Sequence, residues 1–189
     1  MHVFPPRFRA AASIPALALA LALAGAIPAS AKTYQAIKGE STLSYHLVHT
    51  MHKVTGVSKD FQCLVELSPD TVSSKIQVSA AVSTFDSRNS SRDSHMLEVV
   101  EAMKYPRVEF ASESVKPEGD GYRVAGTLKF HGVAKPINFH VTPQIRGDKV
   151  EITGGFDLKL TDFKVKPPSL LVVSVHDDFR ISFDLFSPL

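Results

Sequence analysis

The sequence has very few of the residues on which several protein classes depend. It contains one cysteine, Cys63, and no tryptophan. A single cysteine excludes an intrachain disulfide and every Cys-x-x-Cys motif. Because Cys63 alternates with apolar neighbours and has no cluster of cations beside it, we expect a buried structural thiol rather than a reactive one.

The sequence also has little net charge. Its Lys and Arg residues number 21 and its Asp and Glu residues number 19. The two extra cations, Arg7 and Arg9, both lie in residues 1–31, which contain no acid. The chain from Lys32 onwards is therefore neutral, and its net charge does not favour nucleic acid or an anionic membrane as a partner.

No local motif of a familiar enzyme class occurs in the sequence. The nucleophile elbow, the zinc-protease helix, the phosphate-binding loop and the dinucleotide fingerprint are all missing. The sequence therefore offers no evidence for an enzyme. It does not exclude one, because catalytic groups can also assemble from residues that are distant in the sequence. We predict a non-enzymatic protein that uses no cofactor.

One long hydrophobic run is present, at the N-terminus. Two arginines precede an Ala- and Leu-rich stretch, residues 10–28, which is followed by the small-x-small sequence Ala-Ser-Ala at residues 29–31. This order is typical of a secretory signal peptide, and the prolines and glycine within the run favour cleavage over a membrane anchor. We predict a signal peptide over residues 1–31, a single mature domain over residues 32–189, and no stable membrane insertion after cleavage.

The rest of the sequence alternates between apolar and polar residues nearly throughout. Eight segments show this period of two, which is typical of strands with one buried face. They lie at residues 43–47, 61–67, 76–82, 108–110, 122–130, 137–141, 150–158 and 179–185. Turn sequences at residues 117–121, 131–132 and 146–148 favour antiparallel hairpins. We predict an all-β protein, an eight-stranded antiparallel barrel with one short helix.

One segment breaks the alternation and predicts that helix. Apolar residues recur at helical spacing between residues 96 and 103, so we expect about three turns over residues 91–103. Ser90 followed by Asp93 resembles a capping box, and Tyr105-Pro106 is expected to end the helix.

Charged residues at the predicted helix start are candidates for binding a ligand headgroup. A helix N-terminus beside an arginine can hold a phosphate or carboxylate, which makes Arg92 and His95 candidate ligand residues. The favoured interpretation is simpler: Asp93 caps the helix, and Arg92 pairs with it or with a strand carboxylate.

Three histidines form the strongest metal-like group in the sequence. His46, His49 and His52 lie within seven residues, but on an extended strand His49 faces away from the other two. We favour solvated or hydrogen-bonded histidines and predict no metal site. A metal- or haem-linked accessory protein of a respiratory or stress pathway remains the alternative function.

The other candidate ligand contacts are apolar residues at the alternate strand positions that should face the barrel interior, which we call the inward parity. The sequence contains 12 Phe residues, and most strand interiors carry Phe or Tyr. An eight-stranded barrel can either pack these rings as a core or leave a chamber for one ligand, and the sequence leaves both open. The candidate lumen residues are Tyr45, Val78, Phe110, Gly126, Leu128, Phe130, Phe139, Phe156 and Phe183.

Three strings in order carry a resemblance to a known family. They are residues 91–97 (SRDSHML), 104–112 (KYPRVEFAS) and 126–136 (GTLKFHGVAKP). Their order and spacing resemble the YceI family over about residues 34–184. The resemblance implies a periplasmic, lipocalin-like barrel that stores or transports a polyisoprenoid, such as a quinone or a polyprenyl phosphate, in its lumen.

The sequence departs from the family pattern in two places. The segment at residues 46–56 is richer in histidine than the pattern, and Lys164 stands where a glycine is frequent. Lys164 begins a long loop, residues 164–169, which we expect near one barrel mouth. The resemblance therefore does not fix the headgroup of the ligand.

Overall fold

The computed structural model describes residues 32–48, 53–68, 71–166, 169–170, 173–174 and 177–189. The strands are β1 Lys32–Gln35, β2 Thr42–Val48, β3 Lys53–Ser58, β4 Phe61–Leu67, β5 Lys75–Ala81, β6 Arg107–Glu118, β7 Gly121–Phe130, β8 Val133–Arg146, β9 Lys149–Lys159, β10 Ser169–Leu170, β11 Val173–Ser174 and β12 Asp178–Pro188. The α-helix α1 is Ser90–Val99, and 3-10 turns occupy Val82–Thr84 and Leu160–Phe163. The predicted signal peptide, His49 and His52 lie outside the described residues.

Ten strands form one antiparallel sheet that curls into a barrel. Their order is β1-β4-β5-β6-β7-β8-β9-β12-β2-β3, while β10 and β11 form a separate pair. At the seam, the Ile37 amide donates to the Phe186 carbonyl at 2.8 Å, which joins the end of β1 to β12. On the other side of the seam, Val57 of β3 exchanges two backbone hydrogen bonds with Asp86.

The predicted antiparallel barrel is confirmed, but the predicted number of strands is too low. All eight predicted segments lie in strands of the sheet, except that Val82 begins a 3-10 turn, and the sheet gains β1 and β3 at its two edges. Strand β1 has only four residues, and β3 (KVTGVS) contains a glycine and few apolar residues. Neither carries the strong alternation by which a strand is found in a sequence.

The three predicted hairpin turns are confirmed. Strands β6, β7, β8 and β9 follow one another through two-residue turns, with Glu118 paired to Gly121 and Arg146 paired to Lys149. At the turn between β7 and β8, His131 and Gly132 both have positive φ, 49° and 72°. Such a turn matches the right-handed twist of the paired strands.

The capping and the end of the helix differ from the prediction. The N-cap is Asn89, whose side-chain oxygen accepts a hydrogen bond from the Arg92 amide at 3.0 Å. The Asp93 carboxylate instead accepts hydrogen bonds from the amide and hydroxyl of Ser87. Helix α1 ends at Val99, before the expected residue 103, because Glu101 takes a left-handed conformation with φ 48°. No helix among the described residues is long and apolar enough to cross a bilayer.

The two ends of the barrel are built differently. The helix end is formed by α1, the turn at residues 131–132 and the 3-10 turn Leu160–Phe163, and His131 Nδ1 donates to the Phe163 carbonyl at 2.9 Å. Phe163 and Val165 are each 1% exposed there. The C-terminal end holds the turns at residues 119–120 and 147–148. The helix end is therefore tightly packed around Phe163 and Val165.

Candidate functional site

The interior of the barrel is a chamber. A cavity of about 480 Å³ follows the inward faces of the strands, from Phe85 and Met96 at the helix end to Ile145 and Leu189 at the C-terminal end. Among the described residues that line the cavity, none is Lys, Arg or His, and the only acidic one is Glu109. The choice that the sequence leaves open, between a packed core and a chamber, is decided in favour of a chamber.

An aromatic cluster forms the middle of the chamber wall. The Phe139 ring on β8 lies 5.0 Å from the Phe156 ring, 5.4 Å from Phe110 and 5.7 Å from Phe183, measured between centroids. These four rings come from four different strands, and each occupies the inward parity of its strand. Aromatic pairs at these separations attract one another beyond the effect of area burial, so the cluster fixes the shape of the wall.

Eight of the eleven predicted site residues line this chamber. They are Tyr45, Val78, Phe110, Leu128, Phe130, Phe139, Phe156 and Phe183. The other three, Gly126, Arg92 and His95, are not part of the lining. Whether any of the eleven contacts a ligand remains a prediction.

Gly126 is absent from the lining because the backbone comes too close to it. The register of β6 against β7 shifts between Ser112 and Ser114, directly opposite Gly126. A Cβ atom on Gly126 would lie 2.3 Å from the Ala111 carbonyl oxygen and 2.7 Å from the Ser112 Cα. A side chain at this position has no free path into the chamber.

Arg92 and His95 lie on the outer surface of α1. The Arg92 guanidinium donates to the Ser87 hydroxyl at 2.8 Å and to the Ser87 carbonyl at 2.6 Å. The expected pair of Arg92 with Asp93 is indirect, since Ser87 hydrogen-bonds to both. His95 is exposed and lies 3.6 Å from the Glu98 carboxylate. These groups are satisfied by neighbouring residues of the protein.

Tyr45 on β2 is one of the polar groups of the chamber wall. Its ring is buried and lies 5.7 Å from the Phe85 ring. Burial raises the pKa of the Tyr45 phenol, and the negative charge of Asp93 raises it further, against an opposing effect of Arg92. The phenol therefore stays protonated at neutral pH and can donate a hydrogen bond inside the chamber.

Cys63 and His46 have the roles expected of them. Cys63 lines the chamber and is buried, as predicted, and this burial raises the pKa of its thiol to about 12. The His46 ring nitrogens are hydrogen-bonded to the hydroxyls of Thr55 at 3.0 Å and Ser182 at 2.7 Å. The hydrogen-bonded interpretation is confirmed for His46, whereas His49 and His52 lie outside the described residues.

The prediction from sequence missed several lining residues. Leu43 and Ile181 lie on the same inward parity as the predicted residues of their strands, and Cys63 is paired directly with the predicted residue Val78, so the period of two could have identified all three. Phe85 and Met96 could not be found in this way, because their position depends on how α1 and the preceding turn close the barrel.

Comparison with known proteins gives consistent matches along most of the chain. The model of the YceI-like domain matches residues 34–186. A UPF0312 protein of Pseudomonas putida is 33% identical over 185 residues, covering 88% of this chain and 93% of that protein. Protein YceI of Salmonella newport is 30% identical over 119 residues, covering 58% and 62%.

Solved structures share the fold at lower identity. BcnA of Burkholderia cenocepacia superposes with a TM-score of 0.73 at 23% identity, covering 80% of this chain and 98% of that one. A polyisoprenoid binding domain from Saccharophagus degradans, implicated in plant cell wall breakdown, gives 0.62 at 16% identity, covering 82% and 97%. These matches support the same barrel architecture.

Proposed function

We propose that this chain, which belongs to the YceI-like domain family, binds an isoprenoid-type lipid in the lumen of its barrel. The observation that carries the proposal is the chamber of about 480 Å³ with its almost wholly apolar lining. A neighbour of the same fold is described as a polyisoprenoid binding domain, which supports this class of ligand. The role is storage or transport of the lipid, without turnover.

Burial of an apolar tail supplies the affinity. Each CH₂ group removed from water stabilises the complex by about 0.8 kcal/mol, so ten such groups supply roughly 8 kcal/mol before ordering costs. The chamber runs from Phe85 to Leu189, along the length of the barrel, and its wall presents Phe rings from several strands. One long, flexible hydrocarbon chain fits a chamber of this form.

The lining favours an uncharged headgroup inside the chamber. An anionic phosphate buried there would lose its hydration, and no described lining residue offers a cation to replace it. Asp93 and Arg92 both act on Tyr45 and carry opposite charges, so together they supply no net positive charge for a phosphate. The protonated Tyr45 hydroxyl can instead donate to a neutral oxygen, such as a quinone carbonyl. We therefore propose a quinone-like head within the chamber rather than a polyprenyl phosphate.

Organic extraction of the purified protein, followed by mass spectrometry, tests this function. We expect an isoprenoid-type lipid with an uncharged head at close to one molecule per chain. Protein refolded from denaturant without lipid serves as the control and should yield none until it is incubated with the lipid. Recovery of a polar ligand, or of no ligand from natively purified protein, would contradict the proposal.

We propose that the protein acts in the periplasm after cleavage behind Ala31. The arginines, the apolar run and the small residues of the first 31 positions support this proposal. The expected result is that an osmotic-shock fraction contains a species whose intact mass corresponds to a chain beginning at Lys32. A full-length species confined to the cytoplasm or to membranes would contradict it.

A further inference from the structure

Exposed large apolar side chains are concentrated at one mouth of the barrel. Among the described residues, the exposed large apolar residues are Leu67 (40% exposed), Val72 (51%), Met103 (102%), Ile145 (73%) and Leu189 (53%). Leu67, Ile145 and Leu189 also line the C-terminal end of the chamber. Val72 lies in the loop after β4, between the lining residues Thr71 and Ser74. We call Leu67, Val72, Ile145 and Leu189 the apolar rim.

We propose that the apolar rim docks this end of the barrel onto the surface of a lipid bilayer. The inference rests on the proposed function, because a lipid carried in the chamber has to leave and enter a membrane. The rim is continuous with the chamber lining, so an apolar tail can pass between bilayer and chamber without crossing water. At the helix end, Phe163 and Val165 are buried, and Met103 is the one exposed large apolar residue among those described.

The charges beside the rim fit a neutral lipid surface. Arg146, next to Ile145, forms an ion pair with Glu151 at 2.7 Å, and Lys149 forms an ion pair with Glu40. Cations held in this way are compensated within the protein, and Asp148 adds an acid to the same turn. The rim should therefore bind zwitterionic vesicles through its apolar groups, without a requirement for anionic lipid.

The composition of the neighbouring surface agrees with a membrane interface. Tyr34 lines the chamber near this end, and the Lys32 ammonium lies 5.0 Å from the centroid of its ring. Tyrosine and lysine side chains combine an apolar body with a polar tip, so both suit the boundary between lipid and water. A face that served only as a contact between two protein copies would have no need to surround the chamber opening.

Vesicle flotation with pure phosphatidylcholine tests the docking. We expect the purified protein to float with the vesicles and the double variant Ile145→Gln, Leu189→Gln to bind at least about tenfold more weakly. Met103→Gln is the matched control, because Met103 is fully exposed but lies away from the rim. Binding should not require anionic phosphatidylglycerol. All variants share one N-terminus, so residues 1–31, if retained, contribute equally.

Several outcomes would overturn the docking proposal. Equal flotation of the parent and the rim variant would do so, as would an equal loss in the Met103 control. A parent that does not float and forms a dimer in sedimentation velocity, which the rim variant abolishes, would assign the rim to a second copy. Rim-dependent flotation of a protein whose chamber yields no lipid would support the docking and contradict only the proposed function.

Discussion

Replacement of Val78 by tryptophan should displace the lipid and leave the barrel folded. Val78 lies in the middle of β5, is paired with Cys63 and Phe110 on the neighbouring strands, and lines the chamber. It is only half-buried, so the larger side chain can extend into open space. An indole there occupies the volume of several CH₂ groups of the tail. The loss of three of these groups already weakens binding by roughly fiftyfold to a hundredfold.

The neighbouring residue provides a matched control. Gln77 precedes Val78 on β5, faces outward and is exposed, so Gln77→Trp adds the same ring outside the barrel. Because the chain has no other tryptophan, fluorescence reports on each indole alone. The emission of the Val78→Trp protein should be that of an apolar site, and the emission of the control should be that of a solvated one.

Extraction and mass spectrometry complete this comparison. They should find the lipid in the Gln77→Trp control and little or none in Val78→Trp. A Val78→Trp protein that folds normally and carries as much lipid as the parent would show that the ligand binds outside the chamber.

The barrel and most of its lining could be predicted because strand geometry has a period of two. Once a strand is located, its parity assigns each side chain to the inside or the outside. Phe110, Phe139, Phe156 and Phe183 are assigned in this way, and all four lie on the chamber wall. The assignment requires no knowledge of how distant strands pair, which is why it survives an error in the number of strands.

Some features could not be predicted because two adjacent residues were equally suited to the same structural role. Asn89 and Ser90 are both good N-cap residues, and only the structure shows that Asn89 takes the role. Asp93 is then free to bind Ser87, and the Arg92 guanidinium hydrogen-bonds to the same serine. The early end of α1 depends on a left-handed Glu101, a conformation to which glutamate has no special tendency.

The late loop contains one departure from the family pattern. Lys164, which stands where a glycine is frequent, follows the 3-10 turn Leu160–Phe163 and has φ 59°, in the left-handed region. Its amide donates to the Thr161 carbonyl at 3.0 Å, which closes the turn. A glycine adopts this conformation without a steric cost, whereas a lysine loses about 1 kcal/mol. Lys164 therefore occupies a backbone conformation that glycine adopts more readily. Of the predicted loop, residues 167–168 lie outside the described residues.

Gly126→Ala adds only one methyl group, but it should lower the free energy of unfolding of the barrel markedly. The added Cβ atom would lie 2.3 Å from the Ala111 carbonyl oxygen, 2.7 Å from the Ser112 Cα and 2.8 Å from the Phe110 ring. Two of these contacts are with backbone, so strands β6 and β7 have to separate at the bulge. Overpacking of this kind costs about 1–3 kcal/mol. The melting temperature should fall by roughly 2–4 °C for each kcal/mol.

The control for this prediction adds one atom on the opposite face of the same strand. Ala125 is the neighbour of Gly126 and faces outward, so Ala125→Ser should leave the melting temperature within about 1–2 °C of the parent. Thermal unfolding of the three proteins, followed by circular dichroism without added lipid, measures the difference. If Gly126→Ala melts with the parent, the bulge opposite Gly126 yields without cost, and close backbone approach is not what this glycine provides. A larger residue at position 126 could then reach the chamber, as the alternation of the sequence predicts.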